Sequence, residues 1–208
     1  MQSVRAVLPV RLKSKRWLPI AGVCIWVLLV CVGLRSLLLY ANTPGVPAHP
    51  PLELLPAGPL ATGSGRYALL LFLHPQCPCS RASIGELARI VAREREKVAV
   101  TAYFYAPDRA HPDFAATDLW ESAGRIPGVR RSIDIGAEAA RHFGARTSGQ
   151  ALLYDPAGHL AFSGGLTLMR GHSGDNDGEE AILALLEGRE PTRRTAPVFG
   201  CALYGEAE

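Results

Sequence analysis

An uncharged apolar stretch near the start of the sequence constrains the fold more than any other feature. The residues from Trp17 to Leu34 read WLPIAGVCIWVLLVCVGL and include no acid, base or histidine. As a helix, this run would be about 27 Å long, close to the thickness of the hydrocarbon core of a bilayer. A helix pairs its own backbone polar groups, which the membrane interior demands. We therefore predict a transmembrane helix over residues 17–40, in which Arg35 reaches towards the far interface.

The charges around this stretch predict its orientation. Residues 1–16 contain five bases and no acid, whereas the formal net charge of the whole chain is only +3. Bases accumulate on the cytoplasmic side of a membrane, so we expect a cytoplasmic head at 1–16 and an exported C-terminal domain. In a bacterium, this describes a single-pass inner-membrane protein whose domain lies in the periplasm. The alternative is a cleaved signal peptide, but the apolar run exceeds the usual length and no A-x-A site follows it.

The remaining chain divides into a linker, a domain and a tail. Residues 41–66 are rich in proline and glycine, a composition typical of a semi-extended tether. Residues 67–190 contain the periodic apolar segments, and residues 191–208 form a tail after the last predicted helix. Because this exported part is net acidic, we expect it to have no nucleic-acid partner.

Apolar periodicity predicts the order of strands and helices in the domain. Buried strands at 66–74 and 98–107 flank a helix at 80–97, whose apolar residues recur at helical spacing with charges opposite. The elements predicted beyond them are a short helix near 116–124, a strand at 130–135, a helix at 136–145, a hairpin at 150–165 and a helix at 177–188. A strand–helix–strand unit forms a right-handed parallel pair. We therefore predict an α/β fold, with a mixed sheet flanked by helices.

Two cysteines lie where the first strand passes into the first helix of the domain. Cys77 and Cys79 are separated only by Pro78, which suits a first helical turn. Unpaired N–H groups at a helix N-terminus stabilise a thiolate and lower the cysteine pKa, and His74 and Arg81 are nearby cations that would add to this effect. We expect Cys77 to be the more exposed and more reactive thiol, because it precedes the helix.

The tail contains the third exported cysteine, Cys201. A disulfide between Cys77 and Cys79 would close a small, strained ring. The segment before Cys201 is apolar and is expected to dock on the domain, and Gly200 permits a sharp turn there. We therefore predict that Cys201 forms a disulfide with Cys77 or Cys79 during a redox cycle, or shares a metal with them.

This order of elements, with cysteines at the first strand-to-helix junction, resembles the thioredoxin superfamily over roughly residues 66–188. The apolar anchor, the HPQCPCS motif at 74–80 and the RGHSGDN loop at 170–176 are most similar to bacterial membrane-tethered thioredoxin-like proteins called RedB. The resemblance implies a thiol–disulfide oxidoreductase without a cofactor, which acts on a protein dithiol or disulfide. Its catalytic residues would be Cys77, Cys79 and Cys201.

The sequence departs from the superfamily at two positions. Its Cys-x-Cys motif is one residue shorter than the usual Cys-x-x-Cys. Gly149 falls near the place of a cis-proline that faces the active cysteines in thioredoxin-like proteins. The second departure puts the usual way of binding an extended peptide in doubt.

A copper-binding chaperone of the Sco type is the alternative function. Such proteins are also anchored and thioredoxin-like, and paired thiolates suit Cu(I) with a histidine to complete the site. The ligands here would be Cys77, Cys79 and His172, although the simpler interpretation of the loop at 167–180 is that it caps the following helix. The Sco motif is Cys-x-x-x-Cys, however, and its histidine position falls on Thr147 in this sequence.

Overall fold

The computed structural model describes residues 17–54, 65–109 and 111–205. The chain divides into one unit that ends at Tyr40 and a second that spans Ala41–Glu208. The predicted basic head at 1–16 lies outside the described residues, as does the part of the linker from 55 to 64.

The described part of the first unit lies in a long apolar helix. This helix, α1, spans Trp17–Asn42, and its large apolar side chains are exposed. The stretch Pro19–Asn42 is long and apolar enough to cross a membrane. Both a membrane anchor and a signal sequence have these properties.

The second unit is built around a five-stranded mixed sheet. Its strands are β1 (Tyr67–Leu73), β2 (Val98–Ala106), β3 (Val129–Ile135), β4 (Gln150–Tyr154) and β5 (Leu160–Gly165). They lie in the spatial order β3-β2-β1-β4-β5. The first three strands are parallel, whereas β4 runs antiparallel to both β1 and β5.

Four helices cover the two faces of this sheet, and a 3₁₀ turn at Pro112–Ala115 precedes the second of them. The helices are α2 (Cys79–Glu94), α3 (Asp118–Gly124), α4 (Glu138–His142) and α5 (Asp177–Leu186). Side chains of β1 alternate between two apolar clusters, because successive residues of a strand point to opposite faces. Leu69 and Leu71 pack in the cluster of α2 and α5, and Leu70 and Phe72 pack in the cluster of α4. The predicted fold class, a mixed sheet flanked by helices and preceded by one apolar helix, is confirmed.

The helix predicted at 136–145 is shorter than expected. Gly136 and Ala137 have φ of 61° and 59°, which is the left-handed region and not helical. The buried carboxylate of Asp134 then accepts the N–H groups of Ala139 and Ala140. The helix therefore begins only at Glu138, where this carboxylate satisfies its first donors.

The described part of the linker is attached to the domain and does not extend from it as a tether. The N–H of Gly45 donates to the carbonyl of Val198 at 2.8 Å, and the N–H of Leu160 donates to Leu52 at 2.8 Å. The hydroxyl of Tyr154 donates to the carbonyl of Pro51 at 3.0 Å. A proline-rich segment has few N–H donors but keeps all its carbonyls, so it serves here mainly as a set of acceptors for the domain.

Candidate functional site

The junction between β1 and α2 places two thiols at a helix N-terminus. The N–H of Cys77 donates to the carbonyl of His74, and the N–H of Ser80 donates to the carbonyl of Cys77 at 3.0 Å. Pro78 is the N-cap residue and already has helical backbone angles, with φ −63° and ψ −26°. Cys77 is only 1% exposed, against 8% for Cys79. The prediction that Cys77 is the more exposed thiol is therefore wrong, because other parts of the domain cover it.

The C-terminal tail provides this cover by pairing with the loop that precedes β4. Residues 201–203 run antiparallel to residues 146–148. The pairing consists of the N–H of Ser148 to the carbonyl of Cys201 at 2.8 Å, the N–H of Leu203 to the carbonyl of Arg146 at 2.9 Å, and a β-bridge between Thr147 and Ala202. The apolar side chains of Val198, Phe199 and Leu203 are buried. The tail is thus a packed part of the domain, as its apolar composition predicts.

This pairing brings the third thiol to the first. The sulfur of Cys201 lies 2.8 Å from the sulfur of Cys77, and the backbone N–H of Cys201 donates to the same Cys77 sulfur at 3.4 Å. All described cysteines are free thiols. A disulfide requires the two backbone segments to approach closely with their cysteine side chains facing each other. The docked tail meets this condition for Cys201 and Cys77. The part that Cys201 plays in a redox cycle stays a prediction.

The surroundings of the three thiols give them different acidities. Burial raises the pKa of Cys77, but hydrogen bonds from Cys201 and from the N–H groups of Cys79 and Ser80 outweigh burial, so its pKa is lowered overall. Burial, together with the hydrogen bond to Cys77 and its charge, raises the pKa of Cys201 to about 12. Burial and the charge of Cys77 also raise the pKa of Cys79. Cys77 is therefore the thiol that ionises first.

Arg170 is a site residue that the sequence pattern does not reveal. Its guanidinium donates a hydrogen bond to the carbonyl of Gly200, in the tail. Its positive charge also lowers the pKa of Cys79 and Cys201, against the stronger effect of burial. The signal in the sequence is one arginine in the glycine-rich loop between β5 and α5, where the pattern favours His172 instead. Choosing Arg170 requires knowing the path of the tail.

His74 and Arg81, the two cations predicted near Cys77, do not place a positive charge beside its thiol. Burial lowers the pKa of His74, so its imidazole is neutral at neutral pH, and the ring packs against Tyr105 and Phe114. Arg81 is exposed and pairs with Asp118. Both residues are close to Cys77 in sequence, but their side chains are committed to other partners.

Polar contacts and a glycine fix the loop on which the tail is docked. The hydroxyl of Ser148 accepts the N–H of His74 and is hydrogen-bonded to the hydroxyl of Ser80, both at 2.8 Å. Gly149 has a φ of +92°, and a Cβ at this position would lie 2.9 Å from the hydroxyl of Ser83. Gly149 therefore lets the loop approach α2 closely, and this brings the tail over the thiols.

The copper ligands considered from the sequence are not assembled in the structure. Within residues 17–54, 65–109 and 111–205, no group of three or more His, Cys, Asp or Glu side chains is arranged to hold a metal ion. His172 is exposed, and its backbone N–H donates to the carbonyl of Met169. The capping interpretation of this loop fits better, since the side chain of Asn176 accepts the N–H of Glu179 in the first turn of α5.

Comparisons with known proteins show the fold and leave the activity open. A hypothetical protein SMc02350 from Sinorhizobium meliloti 1021 is similar at a TM-score of 0.59 and 20% identity, over 79% of this chain and 96% of that one. An uncharacterized conserved protein from Geobacillus kaustophilus is similar at a TM-score of 0.59 and 20% identity. The match covers 80% of this chain and 95% of that one. The pneumococcal exposed lipoprotein thioredoxin Etrx1 from Streptococcus pneumoniae is similar at a TM-score of 0.45 and 18% identity. The match covers 62% of this chain and 89% of that one. No family model and no curated protein matches the sequence.

Proposed function

We propose that this protein is a membrane-anchored thiol–disulfide oxidoreductase of the thioredoxin type, with Cys77 and Cys201 as its redox pair. The observation that carries the proposal is the 2.8 Å separation of these two sulfurs at the N-terminus of α2. A thiolate stabilised by backbone N–H groups next to a second thiol is the arrangement that thiol–disulfide exchange requires.

The chemistry of the cycle follows from this pair. Oxidation forms one sulfur–sulfur bond between Cys77 and Cys201, and it removes two electrons and two protons from the protein. A partner disulfide takes up both and becomes a dithiol; the same steps in reverse oxidise a partner dithiol. Cys79 has a raised pKa, so it is the protonated third thiol at neutral pH. The strained ring of a bond between Cys77 and Cys79 makes it the less favourable pair.

Disulfide mapping in variants that each lack one cysteine tests the pair. The purified chain is equilibrated with mixtures of reduced and oxidised dithiothreitol, and its disulfides are identified by mass spectrometry. We expect a bond between Cys77 and Cys201 that forms reversibly in the wild type and in Cys79→Ser, but not in Cys201→Ser. A reversible two-thiol couple that survives unchanged in Cys201→Ser would contradict the proposal.

The same samples test the copper alternative. Cu(I) prefers soft thiolate ligands, so a chaperone would bind about one Cu(I) per chain and protect its cysteines from alkylation. An oxidoreductase would lose two thiols reversibly on oxidation and show no such stoichiometry. Cys77→Ser serves as the control for both copper binding and oxidation, because it removes the thiol common to both functions.

The membrane anchor and its orientation are part of the proposal. The apolar exposed surface of α1 and the bases at 1–16 support a retained anchor, with the domain in the periplasm of a bacterium. An alkaline phosphatase fused after Glu208 should be active, and an inactive fusion would contradict the orientation. A mature protein that begins near Ala41 would show instead that the helix is a cleaved signal.

A further inference from the structure

We infer that the partner exchanges at the sulfur of Cys201 and not at that of Cys77. The tail would then carry the mixed disulfide with the partner, and Cys77 would be an internal thiol that never bonds to the partner. This inference rests on the proposed redox pair, and it specifies which of the two sulfurs the partner meets.

Exposure separates the two cysteines of the pair. Cys77 is 1% exposed, whereas Cys201 is partly exposed. A thiolate attacks a disulfide sulfur from the side opposite the sulfur that leaves, and access to that side controls the rate. Cys77 is buried at the start of α2, where the N–H groups of Cys79 and Ser80 help to lower its pKa. An incoming thiolate therefore reaches Cys201 more easily.

The stability of the leaving thiolate also favours exchange at Cys201. When the bond breaks, the departing Cys77 thiolate stays under the N–H groups of α2. A departing Cys201 thiolate would enter a site where burial disfavours its charge. A better-stabilised thiolate is the faster leaving group, so breaking the bond towards Cys77 is the favoured direction.

Each step balances with a partner dithiol as the reductant. The first partner thiolate bonds to the sulfur of Cys201, the bond between Cys77 and Cys201 breaks, and its electron pair stays on Cys77. The second partner thiolate attacks the partner's own sulfur in the mixed disulfide and expels Cys201. The partner ends as a disulfide, and the protein ends as two thiols.

The attachment of the tail permits this role for Cys201. Val198 and Leu203 are buried on either side of it, so the ends of the segment stay docked. Between them, the carbonyl of Gly200 is held by the guanidinium of Arg170, and the carbonyl of Cys201 by the N–H of Ser148. Loss of these two contacts would let Cys201 turn outwards with a bound partner and return to Cys77 afterwards.

Adduct mapping in a single turnover tests the inference. The full-length chain with Cys79→Ser is oxidised to the disulfide of Cys77 and Cys201 and mixed with excess of a peptide that contains one cysteine. The reaction is stopped with acid at the earliest times, before the peptide redistributes, and free thiols are alkylated. The wild-type chain runs in parallel, to show that the Cys79 substitution has not moved the site of attack.

We expect the peptide on Cys201 and the alkyl group on Cys77. This adduct should be in at least about tenfold excess over the one with peptide on Cys77, because Cys201 is more accessible and Cys77 is the better leaving group. Peptide on Cys77, or equal amounts on both cysteines, would overturn the inference while leaving the redox pair intact. Failure of the proposed function has another signature, since the starting disulfide between Cys77 and Cys201 would then not form at all.

Discussion

At the scale of single residues, the acidity of Cys77 depends on the donor that faces it. The thiol of Cys201 lies 2.8 Å from the Cys77 sulfur. Serine at position 201 keeps a donor there and alanine does not. A hydrogen bond to a charged group contributes about 1.5–3 kcal/mol, and one pKa unit corresponds to about 1.4 kcal/mol. We therefore expect the pKa of Cys77 to be higher in Cys201→Ala than in Cys201→Ser.

This difference in pKa changes the pH at which the Cys77 thiolate forms in the two variants. Because the lowered pKa of Cys77 in the intact site favours its thiolate, the thiolate persists to lower pH in Cys201→Ser than in Cys201→Ala. The ultraviolet absorbance of the thiolate, followed against pH in chains that also have Cys79→Ser, measures both curves. Coincident curves would show that the Cys201 thiol is not a significant donor to Cys77.

Arg170 acts on the tail and on the thiols at once. Arg170→Met removes the donor to the carbonyl of Gly200 and the positive charge beside Cys79 and Cys201. Arg170 is partly exposed, so solvent screens its charge, and we expect only about a two- to fivefold slower formation of the disulfide between Cys77 and Cys201. Arg125→Met, at the C-terminus of α3, is the matched control and should leave the rate unchanged. A normal rate in Arg170→Met would mean that the guanidinium does not help to hold the tail.

At the scale of elements, the pairing of tail and loop depends on a glycine. A Cβ at Gly200 would lie 2.0 Å from the carbonyl oxygen of Ser148, a backbone atom that cannot rotate away. Gly200→Ala should therefore push the tail off residues 146–148 and prevent the disulfide between Cys77 and Cys201. Alkylation of Cys77 should become faster at the same time, because its cover is lost. Gly205→Ala is the control, since no atom of the residues that the structure describes lies within 4 Å of a Cβ there.

The elements that the sequence predicts well are those with local patterns. The strands β1 and β2 read as apolar runs, and α2 has its apolar residues at helical spacing, so their order and bounds follow from neighbouring residues. Glu86 shows the limit of the pattern. It reads as one of the exposed charges of an amphipathic helix but is fully buried. It accepts the N–H of Gly174 at 3.0 Å and pairs with Arg89, so α2 fixes the loop that carries Arg170.

At the scale of the whole molecule, the site depends on contacts between distant parts of the chain. Cys77 and Cys201 are 124 positions apart, and no local pattern shows which loop the tail pairs with. The apolar tail and the strain of a Cys-x-Cys ring led only to the expectation that Cys201 docks near the cysteine junction. The cover over Cys77 and the role of Arg170 follow from that docking, so the sequence alone does not predict them.

The separation of the pair along the chain predicts a large effect of oxidation on stability. In the chain-entropy model, a cross-link that closes a loop of this length removes enough freedom from the unfolded chain to stabilise the fold by about 4–5 kcal/mol. A bond between Cys77 and Cys79 closes almost no loop and should contribute far less. Urea unfolding of the Cys79→Ser chain, oxidised and reduced, measures the free energy of unfolding in each state.

We expect the oxidised chain to be the more stable by several kcal/mol, with the chain-entropy value as an upper limit because strain in the folded state subtracts from it. Cys201→Ser is the control, since oxidation then has only Cys77 and Cys79 to join within the domain and should change the free energy of unfolding by no more than about 1.6 kcal/mol. Equal stability of the oxidised and reduced Cys79→Ser chain would mean that the tail does not close the long loop. The redox state of the protein would then be carried by the Cys-Pro-Cys motif alone.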